Sequence, residues 1–115
     1  MEKIADINVK VASQGLTLTA LYKTEYNDGN IAIIADFSYE DDDPNLIGPY
    51  VEQNAISVNL PDEAYNLQEG EFFLKDWSER ERLAKVLISS GVVVDTGAKV
   101  RSGYVKVPIV KLNVE

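Results

Sequence analysis

Apolar residues in this chain recur mostly at every second position, and at helical spacing in one stretch only. Residues 4–11 alternate, with Ala5, Ile7, Val9 and Val11 on one face and Ile4, Asp6 and Asn8 on the other, which predicts a first strand. Ser13-Gln14-Gly15 breaks that pattern as a turn. Residues 16–26 form a second strand, with Leu16, Leu18, Ala20, Tyr22 and Tyr26 on one face and Thr17, Thr19, Leu21 and Lys23 on the other. Asn27-Asp28-Gly29-Asn30 follows, and Asp-Gly between two strand patterns is a hairpin signal. Residues 31–39 return antiparallel, with Ile31, Ile33, Ala35, Phe37 and Tyr39 on one face.

The pattern then lapses. Residues 40–50, EDDDPNLIGPY, hold four consecutive acids, two prolines and a glycine, so repulsion and missing N–H groups predict a loop. A short strand is expected at 55–60 with Ile56, Val58 and Leu60 inward, ended by Pro61-Asp62-Glu63. Residues 64–70 read as a polar connection and 71–75 as a short strand. Helical spacing appears in 78–90. Ser78 stands at the N-cap and Glu81 completes a capping box, with Asp76 and Glu79 adding negative charge at the dipole's positive end. Leu83, Val86, Leu87 and Ser90 form the inward stripe, and Gly91 ends the helix. Trp77 is expected to pack the helix entry. After it come an apolar run 92–94, a turn at Asp95-Thr96-Gly97, a polar stretch 99–103 and a closing strand in 104–114. Pro108 within that strand predicts an edge position or a bulge. The sum is α+β: a mostly antiparallel sheet, with one main helix at about 78–90 packed on one face through Leu83, Val86 and Leu87. At 115 residues the chain is expected to be a single domain, 1–115, able to bury a core without disulfide or metal.

Charge changes the picture more than composition does. Nineteen acidic against eleven basic residues leave −8 at pH 7, a field that disfavours wrapping DNA or an anionic membrane and suits a basic partner. There are no cysteines, so thiolate chemistry, disulfides and iron–sulfur ligation are excluded, and a reducing cytoplasm is the expected compartment. There are no histidines either, so no imidazole base can serve a nucleophilic triad. The N-terminus lacks a signal-peptide core, and no apolar run approaches the roughly 20 residues that span a bilayer.

A set of residues carries a resemblance. Asn59-Leu60, the run GEFFLKDWSE from Gly70, Ser90-Gly91, Asp95-Thr96-Gly97 and Ser102-Gly103-Tyr104-Val105 with Pro108 resemble a family of small uncharacterised proteins. These are encoded on conjugative elements and phages of bacteria and form a domain of unknown function. The likeness extends to the hairpin strand NIAIIADF, to Gly48-Pro49-Tyr50 and to Val58-Asn59-Leu60, covering about 27–112. Glu40, Asp41, Asp42 and Asp43 stand as an addition to that pattern. The resemblance implies a mobile-element setting and assigns no catalytic residue.

Candidate chemistry is thin. Asp41, Asp43, Asn45 and Glu52 match positions 1, 3, 5 and 12 of a calcium loop. Leu46 stands where the turn needs glycine and Pro44 interrupts it, so a solvated acidic loop is the better reading. Asp36, inside an apolar strand, is the best acid–base candidate, but it has no histidine partner and is expected to face solvent. Asp95-Thr96-Gly97-Ala98-Lys99 lacks the phosphate-loop spacing. Tyr50, Phe72, Phe73, Trp77 and Tyr104 suit a core better than a binding platform. Arg80, Arg82 and Lys85, balanced by Glu79 and Glu81, read as a solvated helix face. The expected function is a non-enzymatic acidic binding protein without cofactor or metal. Glu40, Asp41, Asp42 and Asp43 form its contact with a basic protein, a CRISPR or restriction effector, and no direct nucleic-acid or membrane contact is expected. The alternatives are an accessory or assembly protein, and a small-ligand-binding domain. Oligomeric state is left open.

Overall fold

In the computed structural model, residues 1–39, 50–77 and 81–114 are described. Among them the chain forms β1 (Glu2–Val11), β2 (Leu16–Glu25), β3 (Ile31–Tyr39), β4 (Tyr50–Ala55), β5 (Glu71–Phe73), α1 (Glu81–Ser89), β6 (Val93–Ser102) and β7 (Val105–Leu112). The class is α+β, but the expected single sheet is two. A four-stranded antiparallel meander runs β1-β2-β3-β4, and a three-stranded sheet has the order β5-β7-β6. Seventeen buried residues from both sheets and the helix form the main core, including Leu18, Ile33, Phe37, Phe72, Leu87 and Val110. A smaller cluster of Phe73, Val107 and Ile109 lies on the far face of the second sheet, beneath Val58, Leu60, Leu67 and Trp77. The second sheet is therefore covered on both faces, whereas the first has one polar face. No helix among the described residues is long and apolar enough to cross a membrane.

The β2–β3 hairpin forms where Asp-Gly predicts it. Gly29 N–H donates to the Tyr26 carbonyl at 2.9 Å with Gly29 at φ 87, a conformation that costs glycine least. Strict alternation fails inside β2. The register shifts between Leu18 and Ala20, so Leu21, expected on the opposite face, is fully buried beside Leu18. One extra residue inverts the faces beyond it. Shifts in β1 likewise let both Ile4 and Ile7 pack on the core.

Residues 55–60 correct the expectation more strongly. The strand lies earlier, at Tyr50–Ala55, and so includes Tyr50, which was read as loop. The chain then crosses between sheets. Ile56 N–H donates to Ile33 of β3, while Ile56 and Val58 bond to Lys75 and Phe73 on the other side. Within 56–60, only Ser57 makes a bridge, to Leu74. Pro61–Asn66, read as part of an irregular connection, is a 3-10 helix opened by proline.

Helix α1 buries Leu83, Ala84 and Leu87, with Val86 half-buried against the core and Ser90 exposed. It packs against β1 and β6. Gly91 at φ 82 ends it, with its N–H on the Ile88 carbonyl. The capping residues Ser78 and Glu79, with Arg80, lie outside the described residues. Asp95-Thr96-Gly97 does not end a strand. It is a register shift inside β6, where Gly97 N–H donates to Asp95 Oδ1 and Thr96 Oγ1 donates to the Ile109 carbonyl. Pro108 is not at an edge, because β7 is the central strand. Its carbonyl accepts from Leu74. A strand residue's nitrogen and carbonyl face the same neighbour, so the missing N–H points to the β5 side, where β5 has already ended at Phe73.

Candidate functional site

The four acids Glu40, Asp41, Asp42 and Asp43 lie outside the described residues. Their anchors are described: β3 and β4 pair Tyr39 with Tyr50 and Ser38 with Val51. The acids thus join the last strand pair of the first sheet, and β4 is its open edge. Val51 on that edge is half-exposed, a polar-rimmed apolar spot. Of the calcium-loop residues, Asp41, Asp43 and Asn45 are likewise outside the description. Glu52 belongs to β4, where the Asn54 side-chain amide donates to its carboxylate at 3.3 Å. Among the described residues no three carboxylates converge as a metal ion would require.

A second group of acids lines one open cleft without the spacing of a metal site. A cleft of about 340 Å³ opens between the end of the β2–β3 hairpin and the segment leading into β5. Glu25, Glu69 and Glu71 line it, opposed by Lys23. The β2–β3 pairing places Glu25 and Lys23 at the hairpin end. Glu71 is held by its own loop, since the Gln68 amide donates to Glu71 Oε1 at 2.9 Å. Three carboxylates against one ammonium suit a guanidinium or ammonium group from outside.

Beside this cleft the hairpin tip is fixed by polar groups. Asn59 Nδ2 donates to Asp28 Oδ2 at 2.8 Å, and Asn30 Nδ2 reaches Asn59 Oδ1 at 3.1 Å. The Asn59 bond, with the Asn30 backbone amide, holds the Asp28 carboxyl below its usual range. Ser57, the buried polar residue of the described core, accepts the Ile33 amide at 3.0 Å and shares a 2.8 Å bond with the Tyr26 hydroxyl. It takes over from the ladder two residues after β4 stops. The Asp-Gly turn was the available signal for Asp28. Nothing local pointed to Asn59 or Ser57, because their partners are about thirty residues away.

Asp36 faces outward from β3, with its carboxylate accepting from Tyr22 Oη at 2.9 Å and from Gln53 Nε2 at 3.0 Å. The Tyr22 phenol is pushed up, chiefly by the bond it donates to Asp36. This arrangement spends the carboxylate on cross-strand bonding. Phe72 and Phe73 are core residues, Trp77 is half-buried with the Lys75 ammonium over its ring, and Tyr104 is fully exposed. Lys85 pairs with Glu81 at 3.4 Å on the exposed helix face.

A smaller hollow of about 160 Å³ lies between α1 and the second sheet, with Asp76, Glu81 and Asp95 facing Lys85 and Lys99. Burial pushes the Asp76 carboxyl up, the Lys99 ammonium opposes that, and Glu81 and Asp95 add to the rise. Its charges nearly balance, unlike the larger cleft.

No family model, curated protein or solved structure matches this chain.

Proposed function

We propose that this chain is a small, acidic, non-enzymatic binding protein of a mobile genetic element. It occupies a basic groove on a host nucleic-acid-handling defence complex, in the manner of an anti-CRISPR or anti-restriction inhibitor. The observation that carries this reading is the distribution of charge: residues 40–77 hold ten of the nineteen acids and a single lysine, Lys75. The segment begins at the acids between β3 and β4 in the chain and supplies Glu69 and Glu71 to the cleft that Glu25 also lines. Such a surface attracts Lys- and Arg-lined channels and speeds encounter with them. The mobile-element setting comes from the resemblance in the sequence. The size and concavity of the cleft favour a second reading, a small-ligand-binding domain for a cationic compound.

A pull-down from host lysate tests the first reading, with three baits: wild type, Asp41→Asn/Asp42→Ser/Asp43→Asn, and Glu25→Gln/Glu69→Gln. Wild type is expected to capture a nucleic-acid-binding protein, with capture falling as salt rises. Both variants should associate more slowly with little change in dissociation. If wild type captures no such protein, or both variants capture it equally well, the groove reading is wrong.

A further inference from the structure

The β6–β7 hairpin has the opposite polarity to the rest of the chain. Ser102 pairs with Val105 across a two-residue turn of Gly103 and Tyr104, and Gly103 sits at φ 60. Paired residues share a sheet face. Val100 and Val107 therefore share the inner face with Ser102 and Val105, and three of these pack on or within the smaller core cluster: Val100, Val105 and Val107. Arg101 and Lys106 are directly opposite each other on the outer face, and Lys99 lies two pairs further in on that face, opposite Pro108. All three cations are exposed. Among the described residues none of the three forms an ion pair. On its helix side Lys99 borders the hollow beneath α1, where Asp76, Glu81 and Asp95 also lie and Lys85 is paired with Glu81, so the unbalanced part of the cationic face is Arg101 and Lys106.

Two cations in direct cross-strand opposition oppose hairpin formation. Asp62 and Glu63 line a crevice that Arg101 also borders, yet no ion pair among the described residues joins them. At the tip, Tyr104 is the most exposed of the large apolar and aromatic side chains described, with 108% relative exposure, so both ring faces are open. Cations spaced along a ribbon, roughly 6.6 Å apart for alternate residues of one strand, can follow successive phosphates. An open aromatic ring beside them can stack on an unpaired base.

We propose that the β6–β7 hairpin is a binding arm for single-stranded nucleic acid, with Lys99, Arg101 and Lys106 on phosphates and Tyr104 stacked on a base. This reverses, for one local surface, the expectation of no direct nucleic-acid contact that the net charge suggests. The acidic remainder of the chain restricts contact to the hairpin and makes a short strand the natural ligand. The inference does not rest on the acidic-groove reading, since it uses the other end of the charge distribution and a different ligand.

The test is fluorescence anisotropy of a labelled twelve-nucleotide single strand at low salt, about 20 mM, where phosphate contacts are least screened. Wild type is compared with Arg101→Gln/Lys106→Gln, Tyr104→Ala and Glu25→Gln/Glu69→Gln. Circular dichroism confirms that each variant is folded. Wild type should bind, and the log–log salt slope should fall by about 1.4 on removing two phosphate contacts from a single strand. Tyr104→Ala should weaken binding roughly tenfold with the slope unchanged. The Glu25/Glu69 variant should bind at least as well as wild type, which separates this outcome from the pull-down above. Absence of wild-type binding, or equal binding by the Arg101/Lys106 variant, overturns the proposal. So does a poly-glutamate chain of equal charge that competes as well as the oligonucleotide, since that outcome assigns the arm to an acidic protein surface.

Discussion

Two of the long hairpins of this molecule, β2–β3 and β6–β7, treat their tips in opposite ways. At the β2–β3 tip, Asp28, Asn30 and Asn59 bond to one another, and Ser57 joins Tyr26 to the Ile33 backbone just beneath. The polar groups there are consumed in holding the tip against the chain that crosses between the sheets. At the β6–β7 tip, Arg101 and Lys106 oppose each other without a described ion pair, and Tyr104 projects into solvent. Polar residues that satisfy one another are accounted for by folding. Charges placed against each other, beside an exposed ring, gain nothing from one another in folding, which is the contrast on which the proposed binding arm rests.

Both hairpins depend on the core that α1 seals. Leu87 is fully buried there, so Leu87→Ala should cost about 2–5 kcal/mol in urea unfolding, the largest effect expected. A loss under about half a kcal/mol would mean that the helix does not hold the two sheets together, and the hairpins could not be compared as parts of one cooperative unit.

The middle effect isolates the first hairpin. Ser57→Ala removes the acceptor of the buried Ile33 amide and the partner of the Tyr26 hydroxyl. Leaving a buried donor unpaired costs about 1–3 kcal/mol, and hydrogen exchange at Ile33 should accelerate accordingly. An unchanged exchange rate there would show that the polar network is incidental to the tip's order.

The smallest effect isolates the second hairpin and has the opposite sign. Lys106→Glu turns the like-charged pair with Arg101 into an attractive one, so it should stabilise by roughly 0.2–1 kcal/mol, with the gain shrinking at high salt. The same change should abolish oligonucleotide binding. A substitution that improves folding and removes binding marks a residue kept for contact. Destabilisation by Lys106→Glu would erase the contrast between the tips.

Local chemistry was enough for some of this. The Asp-Gly turn, the two-residue alternation of Ile33, Ala35 and Phe37 after it, the helical stripe with Leu83 and Leu87 and the stop at Gly91 depend on neighbours a few residues apart, so the sequence alone determined them. The α+β class follows from the same periodicities. Other features needed the assembled fold. Leu21 turns inward because β2 gains a residue against β3, and a register shift exists only between two strands. Pro108 sits in a central strand because β5 ends before reaching its nitrogen. Residues 56–58 leave β4 to bond with both sheets, and no local pattern encodes a partner in each. The acidic cleft and the Arg101–Lys106 opposition arise the same way. The composition supplied the charges, but strand register and the packing of distant segments decided which carboxylates meet, and which cations face each other across a ribbon.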